Sequence, residues 1–140
     1  MSAAIPHGPI PDRPRIRLID SEAERLEDLA VKAASITPEV SKLLLEEIDR
    51  AEIHSARSIP RNVVTMYAQV EYLDEASHQT RSIQLVYPND ADIAGGRVSI
   101  LTPAAAGLIG LAEGQSISWP TRDGHERKLR VVKVAQPEVV

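Results

Sequence analysis

The sequence predicts an α+β fold, in which a short antiparallel helical hairpin precedes an antiparallel sheet carrying one short packed helix. Three observations carry this expectation. Between residues 20 and 51, apolar side chains recur at helical spacing in two stretches broken by Thr37-Pro38. From Val63 the pattern changes to runs rich in β-branched and aromatic residues separated by polar turns. Within that β region, Thr102-Pro103 opens a single Ala-rich apolar segment.

Taken in order, residues 1–14 contain Pro6, Pro9, Pro11 and Pro14. Proline fixes φ and removes an amide donor, so a flexible or polyproline-like tail is expected. Arg15 to Ile19 alternates Arg with aliphatic residues, as a short strand or an apolar anchor would; the reading favours the anchor and closes the first segment at residue 19. Asp20 and Ser21 offer capping side chains, and Glu24, three residues after Ser21, completes a capping box. Leu26, Leu29, Ala30 and Ala33 then form one stripe, so the first helix should end near Ala34.

Thr37 as cap and Pro38 at the first helical position restart the chain as a helix. Val40, Leu43, Leu44, Ile48 and Ala51 extend its stripe to about Ile53, an arm of about 24 Å at 1.5 Å per residue. Two amphipathic helices joined by so few residues must fold back on each other, which gives a hairpin over 20–56 with its tip at Ser35 to Glu39. Ser55 to Asn62, with Pro60, reads as a linker to a second domain over 60–136.

In that second part, Val63 to Leu73 and Thr80 to Tyr87 are expected to form a hairpin around the polar Asp74 to Gln79. A loop over Asn89 to Gly96 leads to a short strand, Arg97 to Leu101. Thr102 should cap a helix that begins at Pro103 and ends at Gly110. Gln115 to Trp119 and Lys128 to Val134 complete the sheet around an Asp123-Gly124 turn.

Composition excludes several classes of function. The 140 residues contain no cysteine, so disulfides, thiolate metal sites and a cysteine nucleophile are absent. His7, His54, His78 and His125 stand apart, with no second ligand at helical or strand spacing, and no metal is expected. No phosphate-binding glycine loop or nucleophile elbow occurs, and no cofactor is expected. The longest near-apolar run, Ala104 to Ala112, is nine residues against the ~20 that span a bilayer, so no membrane association is expected. With no signal-peptide pattern either, the expected location is the cytoplasm.

Charge is unevenly distributed. Residues 20–53 hold ten acids against four bases, whereas 54–140 hold nine of each. Neither segment offers the concentrated basic face that duplex binding needs, so direct sequence-specific nucleic-acid binding is disfavoured. The acidic stretch would suit an electropositive partner or an ordinary solvated helix surface.

Pro60 to Met66, P-R-N-V-V-T-M, and Leu85 to Pro88, L-V-Y-P, resemble the bacterial regulator of nucleoside diphosphate kinase family, Rnk, whose relatives are the GreA and GreB transcript-cleavage factors. Ser99 to Trp119, S-I-L-T-P-A-A-A-G-L-I-G-L-A-E-G-Q-S-I-S-W, is similar to the strand, Pro-started helix, Gly-Leu-x-x-Gly turn and strand of their C-terminal domains. Glu22 to Leu29 and Glu47 to Ala51 resemble the two hairpin helices of the Rnk family. The similarity runs from about Ile16 to Gln136, and the order and spacing of the motifs make it specific.

This resemblance implies a coiled-coil hairpin and an FKBP-like C-terminal domain that docks at the rim of the RNA polymerase secondary channel. It implies a role as a non-enzymatic transcription regulator that competes with the cleavage factors and controls nucleoside diphosphate kinase level. Docking is implied for Leu101, Thr102 and Pro103; Pro103 keeps the family residue, whereas Leu101 stands where part of the cleavage-factor family has an acid. In the cleavage factors a longer hairpin carries two acids that help to hold a catalytic magnesium. The tip here, with Ser35, Thr37 and Glu39, offers one. A carboxylate pair suits Mg²⁺ far better than a single group, and Glu39 is also explained by the helix macrodipole. The alternative is a peptidyl-prolyl isomerase or protein-binding module on the same fold. An isomerase cup would have to be built without Phe, from Trp119, Tyr67, Tyr72 and Tyr87 alone.

Overall fold

The computed structural model describes residues 14–120 and 126–137. The Pro-rich segment 1–13 and the Asp123-Gly124 turn lie outside the described residues. The chain runs β1 (Arg17–Ile19), α1 (Asp20–Ala33), α2 (Pro38–Asp49), β2 (Glu52–His54), β3 (Gln69–Asp74), β4 (Gln79–Val86), β5 (Arg97–Ser99), α3 (Pro103–Leu108), β6 (Ser116–Pro120) and β7 (Glu126–Ala135). Two sheets form, one of β1 and β2, the other five-stranded in the order β5-β4-β3-β7-β6. The class is α+β, as expected.

Arg17–Ile19 is a strand, not merely an anchor. It pairs in parallel with Glu52–His54, in the register Arg17 with Glu52 and Ile19 with His54. Parallel neighbours require a crossover between them, and here the whole helix pair is that crossover. The same pairing cuts short the second helix, which ends at Asp49 instead of running to Ile53. Its 12 residues span about 18 Å.

Neither of the caps expected for the first two helices forms. The chain passes directly from β1 into α1, so the extended residue ahead of the helix is Ile19 and Ser21 already lies inside the first turn. The Asp20 carboxylate accepts from the Ser21 amide at 2.7 Å instead. Thr37 precedes α2, but its hydroxyl points back to the Ala33 carbonyl at 3.2 Å and meets Ser41 Oγ at 3.3 Å. The Ile36 and Thr37 amides donate to that same carbonyl at 2.9 and 2.8 Å, closing the end of α1.

The larger sheet is mixed. β3 pairs antiparallel with β4 and β7, and β6 with β7, while β4 and β5 run parallel. The reversal lies in the segment between β4 and β5, which doubles back along β5 so that Asp92 faces Arg97 before the chain enters that strand. The expected long strand from Val63 shortens to β3; residues 63–68 include a bridge from Val63 to Ala112 and a turn at Met66-Tyr67.

One continuous core holds side chains from every layer. Leu26 and Ala30 of α1 and Leu44 of α2 are buried in the same cluster as Val70, Leu85, Ile100, Leu108 and Leu129. α2 also packs on α3. Glu47, fully buried on α2, pairs with Arg50 at 2.8 Å, so the charge removed from water keeps a counter-ion. Gly110 lets β1 approach: its carbonyl accepts from the Arg17 amide at 3.1 Å, and an added Cβ would meet Ile16 Cβ at 2.7 Å.

Candidate docking edge and helix tip

The Leu101-Thr102-Pro103 segment forms the corner between β5 and α3. The Ser99 carbonyl accepts twice from Thr102, from its amide at 3.0 Å and its hydroxyl at 2.8 Å, while Ser99 Oγ accepts from the Leu101 amide at 3.0 Å. The Thr102 side chain therefore fixes the corner and does not cap α3. Leu101 packs half-buried on the core, and Pro103 is exposed at the first position of the helix. Three hydrogen bonds thus tie the corner together, with Pro103 turned to solvent.

The tip lies at the opposite end of the helix pair from β1 and β2. Ser35 and Glu39 are exposed, and Thr37 is half-buried with its hydroxyl engaged as described. Ile36, 81% exposed, stands between them as the more exposed of the two large apolar residues, with Val31, that this part of the chain turns to solvent. Among the described residues, no three His, Asp or Glu side chains gather where a metal ion could be held.

A third cluster, invisible in the sequence, joins α1 to the sheet. Arg25 of α1 lies over the Tyr87 ring, 3.9 Å from its centroid. Tyr67 meets Tyr87 edge to face at 5.8 Å and donates from its hydroxyl to Asp90 at 2.6 Å. Glu22, also on α1, accepts from the Met66 amide at 3.1 Å. Burial pushes the Glu22 carboxyl up, and the Met66 amide partly offsets this. Burial, then the Glu22 charge, pushes the Tyr87 phenol up to about 12. The bond to Asp90 raises that of Tyr67.

Tyr67 holds a left-handed backbone at φ 65°, uncommon for an aromatic residue. The surroundings impose it: its amide donates to the Leu85 carbonyl at 2.6 Å, and its own carbonyl accepts from Gln84 Nε2 at 3.0 Å. No signal in the sequence marks this position.

Comparison with known proteins gives this geometry its context. Residues 59–136 match the family described as transcription elongation factor, GreA/GreB, C-terminal. The chain is 33% identical over 127 residues to the regulator of nucleoside diphosphate kinase of Escherichia coli K12, covering 90% of this chain and 93% of that protein. The chain belongs to the Rnk family. The similarity extends to the elongation factors. Transcription elongation factor GreA of Methylobacterium sp. strain 4-46 is 36% identical over 121 residues, covering 81% of this chain and 77% of the factor. The structure of a GreA/GreB elongation factor from Nitrosomonas europaea superimposes with a TM-score of 0.69 at 37% identity, over 88% of this chain and 99% of that one. This Rnk-family chain thus has a GreA/GreB-like fold, and the relatives are named as regulators or elongation factors, not as enzymes. Among its described residues no helix is long and apolar enough to cross a membrane.

Proposed function

We propose that this chain is a non-enzymatic transcription regulator that binds RNA polymerase at the secondary channel and competes there with Gre cleavage factors without stimulating cleavage. In this reading residues 20–56 act as a short coiled-coil hairpin and residues 60–136 as an FKBP-like docking domain, with Leu101, Thr102 and Pro103 at the contact. The observation that carries it is the tip. Residues 35–39 bring one carboxylate, Glu39, at the start of a helix of about 18 Å, where metal-assisted cleavage calls for paired acids and a longer reach. A protein that docks like a cleavage factor but cannot complete a metal site occupies the channel and blocks it.

Control of nucleoside diphosphate kinase level, the property in the name of the Escherichia coli relative, follows in this reading from altered transcription. The isomerase alternative gains no support from the aromatic residues. Tyr67 and Tyr87 pack on each other, Arg25 covers the Tyr87 ring, and Tyr72 is buried in the core. The test is a stalled elongation complex. The chain alone should add no transcript cleavage, and increasing amounts should inhibit cleavage by an added Gre factor. Cleavage by the chain alone that disappears in Glu39→Ala would overturn the proposal, as would failure to compete.

A further inference from the structure

The segment between β4 and β5 combines a highly exposed apolar side chain with a backbone held in place along its length. Ile93 is 88% exposed, the most exposed large apolar residue described. Single exposed aliphatics are common and need no explanation alone; the way this one is mounted sets it apart. On one side, the Asp90 amide donates to the Tyr87 carbonyl at 2.9 Å, and its carboxylate holds the Tyr67 hydroxyl. On the other, Asp92 and Arg97 exchange two backbone hydrogen bonds, both of 2.9 Å, and their side chains meet at 3.4 Å. Asp92 Oδ1 also accepts from the Gly95 amide at 3.2 Å. Ile93 therefore projects from a tight turn whose flanking charges are already paired.

Such a side chain contributes nothing to the core, yet the backbone that carries it is hydrogen-bonded in place before any partner arrives. A preorganised apolar knob beside neutralised charges loses little entropy and desolvates little charge on entering a pocket. The turn lies along β5, and β5 leads into the Leu101-Thr102-Pro103 corner. The six steps from Arg97 to Pro103 span at most ~20 Å at about 3.3 Å each, which fits within one standard interface of about 800 Å² per partner.

We propose that Ile93 is a second anchor of the RNA polymerase contact, inserting into an apolar pocket of the polymerase beside the Pro103 corner, with Tyr67 as the residue that positions its loop. This rests on the docking reading given above and adds a residue and a chemistry to it. The partner is a protein with an apolar recess bordered by polar surface, because the knob is apolar and its neighbours Asp92 and Arg97 are half-exposed.

The experiment titrates core RNA polymerase with the full chain and with Ile93→Ser, Ile93→Leu and Tyr67→Phe. Ile93→Ser should weaken binding about tenfold or more. Ile93→Leu should stay within about threefold of the parent. Tyr67→Phe, which keeps the ring and loses the bond to Asp90, should weaken binding by a smaller factor. Thermal unfolding of Ile93→Ser should match the parent, since the side chain is in water. A photo-crosslinking residue at position 93 should label polymerase whatever the affinity. Parent binding with equal affinity of Ile93→Ser, or with no crosslink from position 93, overturns this inference and leaves the docking reading standing. No binding by the parent overturns both.

Discussion

The guanidinium of Arg25 lies 3.9 Å from the centroid of the Tyr87 ring, and this contact fastens α1 to the residue that follows β4. A cation over an aromatic face is worth about 0.5–1 kcal/mol where water has access, as it has at exposed Arg25. Arg25→Ala should therefore lower unfolding free energy by about that amount in urea titrations. Arg25→Met keeps an apolar stem on the ring and should recover part of the loss, separating packing from charge.

Glu22 gives the pH dependence a defined sign. Burial raises its folded pKa above the ordinary 4.5, so in the interval between the two values the folded chain keeps a proton that the unfolded chain has released. Its stabilising contribution is complete below the unfolded value and is lost as pH rises through the folded one. Glu22→Gln can still accept from Met66 without the buried charge. It should match or exceed the parent in stability at neutral pH, with the difference shrinking towards acid pH; unfolding curves across that range measure it. Exposed Glu52 behaves oppositely, because the hydrogen bonds from His54 and then Arg17 lower its pKa. Its contribution is present above the ordinary value and disappears as pH falls through the lowered one.

Gly110 and Gly114 both have left-handed backbones, at φ 84° and 88°. An added methyl at Gly114 enters open space, whereas at Gly110 it collides with Ile16. Gly114→Ala should cost about 1–2 kcal/mol from backbone conformation alone. Gly110→Ala should cost about 2–5 kcal/mol, because overpacking is added to that strain. The difference between the two variants in denaturant midpoint isolates the contact of β1 with the Gly110 turn.

Pro103→Glu tests the corner. An acid is favourable in the first turn of a helix, so α3 and the unfolding midpoint should be retained. The substituted chain should bind core polymerase more weakly in a direct titration. Equal affinity of the two chains would remove Pro103 from the contact.

How far these features can be read from residues alone depends on how local they are. The start of α3 was legible because proline at the first helical position is a local preference that the fold leaves intact. The expected Ser21-Glu24 capping box failed because β1 runs straight into α1, and a tertiary pairing decided where the helix begins. β2 holds only Glu52, Ile53 and His54; its strand character comes from pairing with β1, and no propensity announces it. Glu39 and Pro103 could be named as candidates because each sits next to a local helix signal. The cluster around Tyr67 could not, because contacts with β4 and the loop after it impose a backbone that tyrosine does not favour.

The register that sets Arg17 beside Glu52 also has a consequence for how this architecture can diversify. The helix pair leaves and rejoins the body at neighbouring points about 4.8 Å apart. The body therefore constrains where the excursion starts and stops, and the core it shares with both helices, reaching Ala30 on α1 and Val40 on α2, constrains everything short of the tip. Matched turns could be added to both helices at the tip, between those positions, without disturbing a strand. The distance at which the excursion delivers its tip is thus an adjustable parameter even while α2 stays packed on α3, the helix that begins at Pro103, and one scaffold can serve as a ruler cut to different lengths.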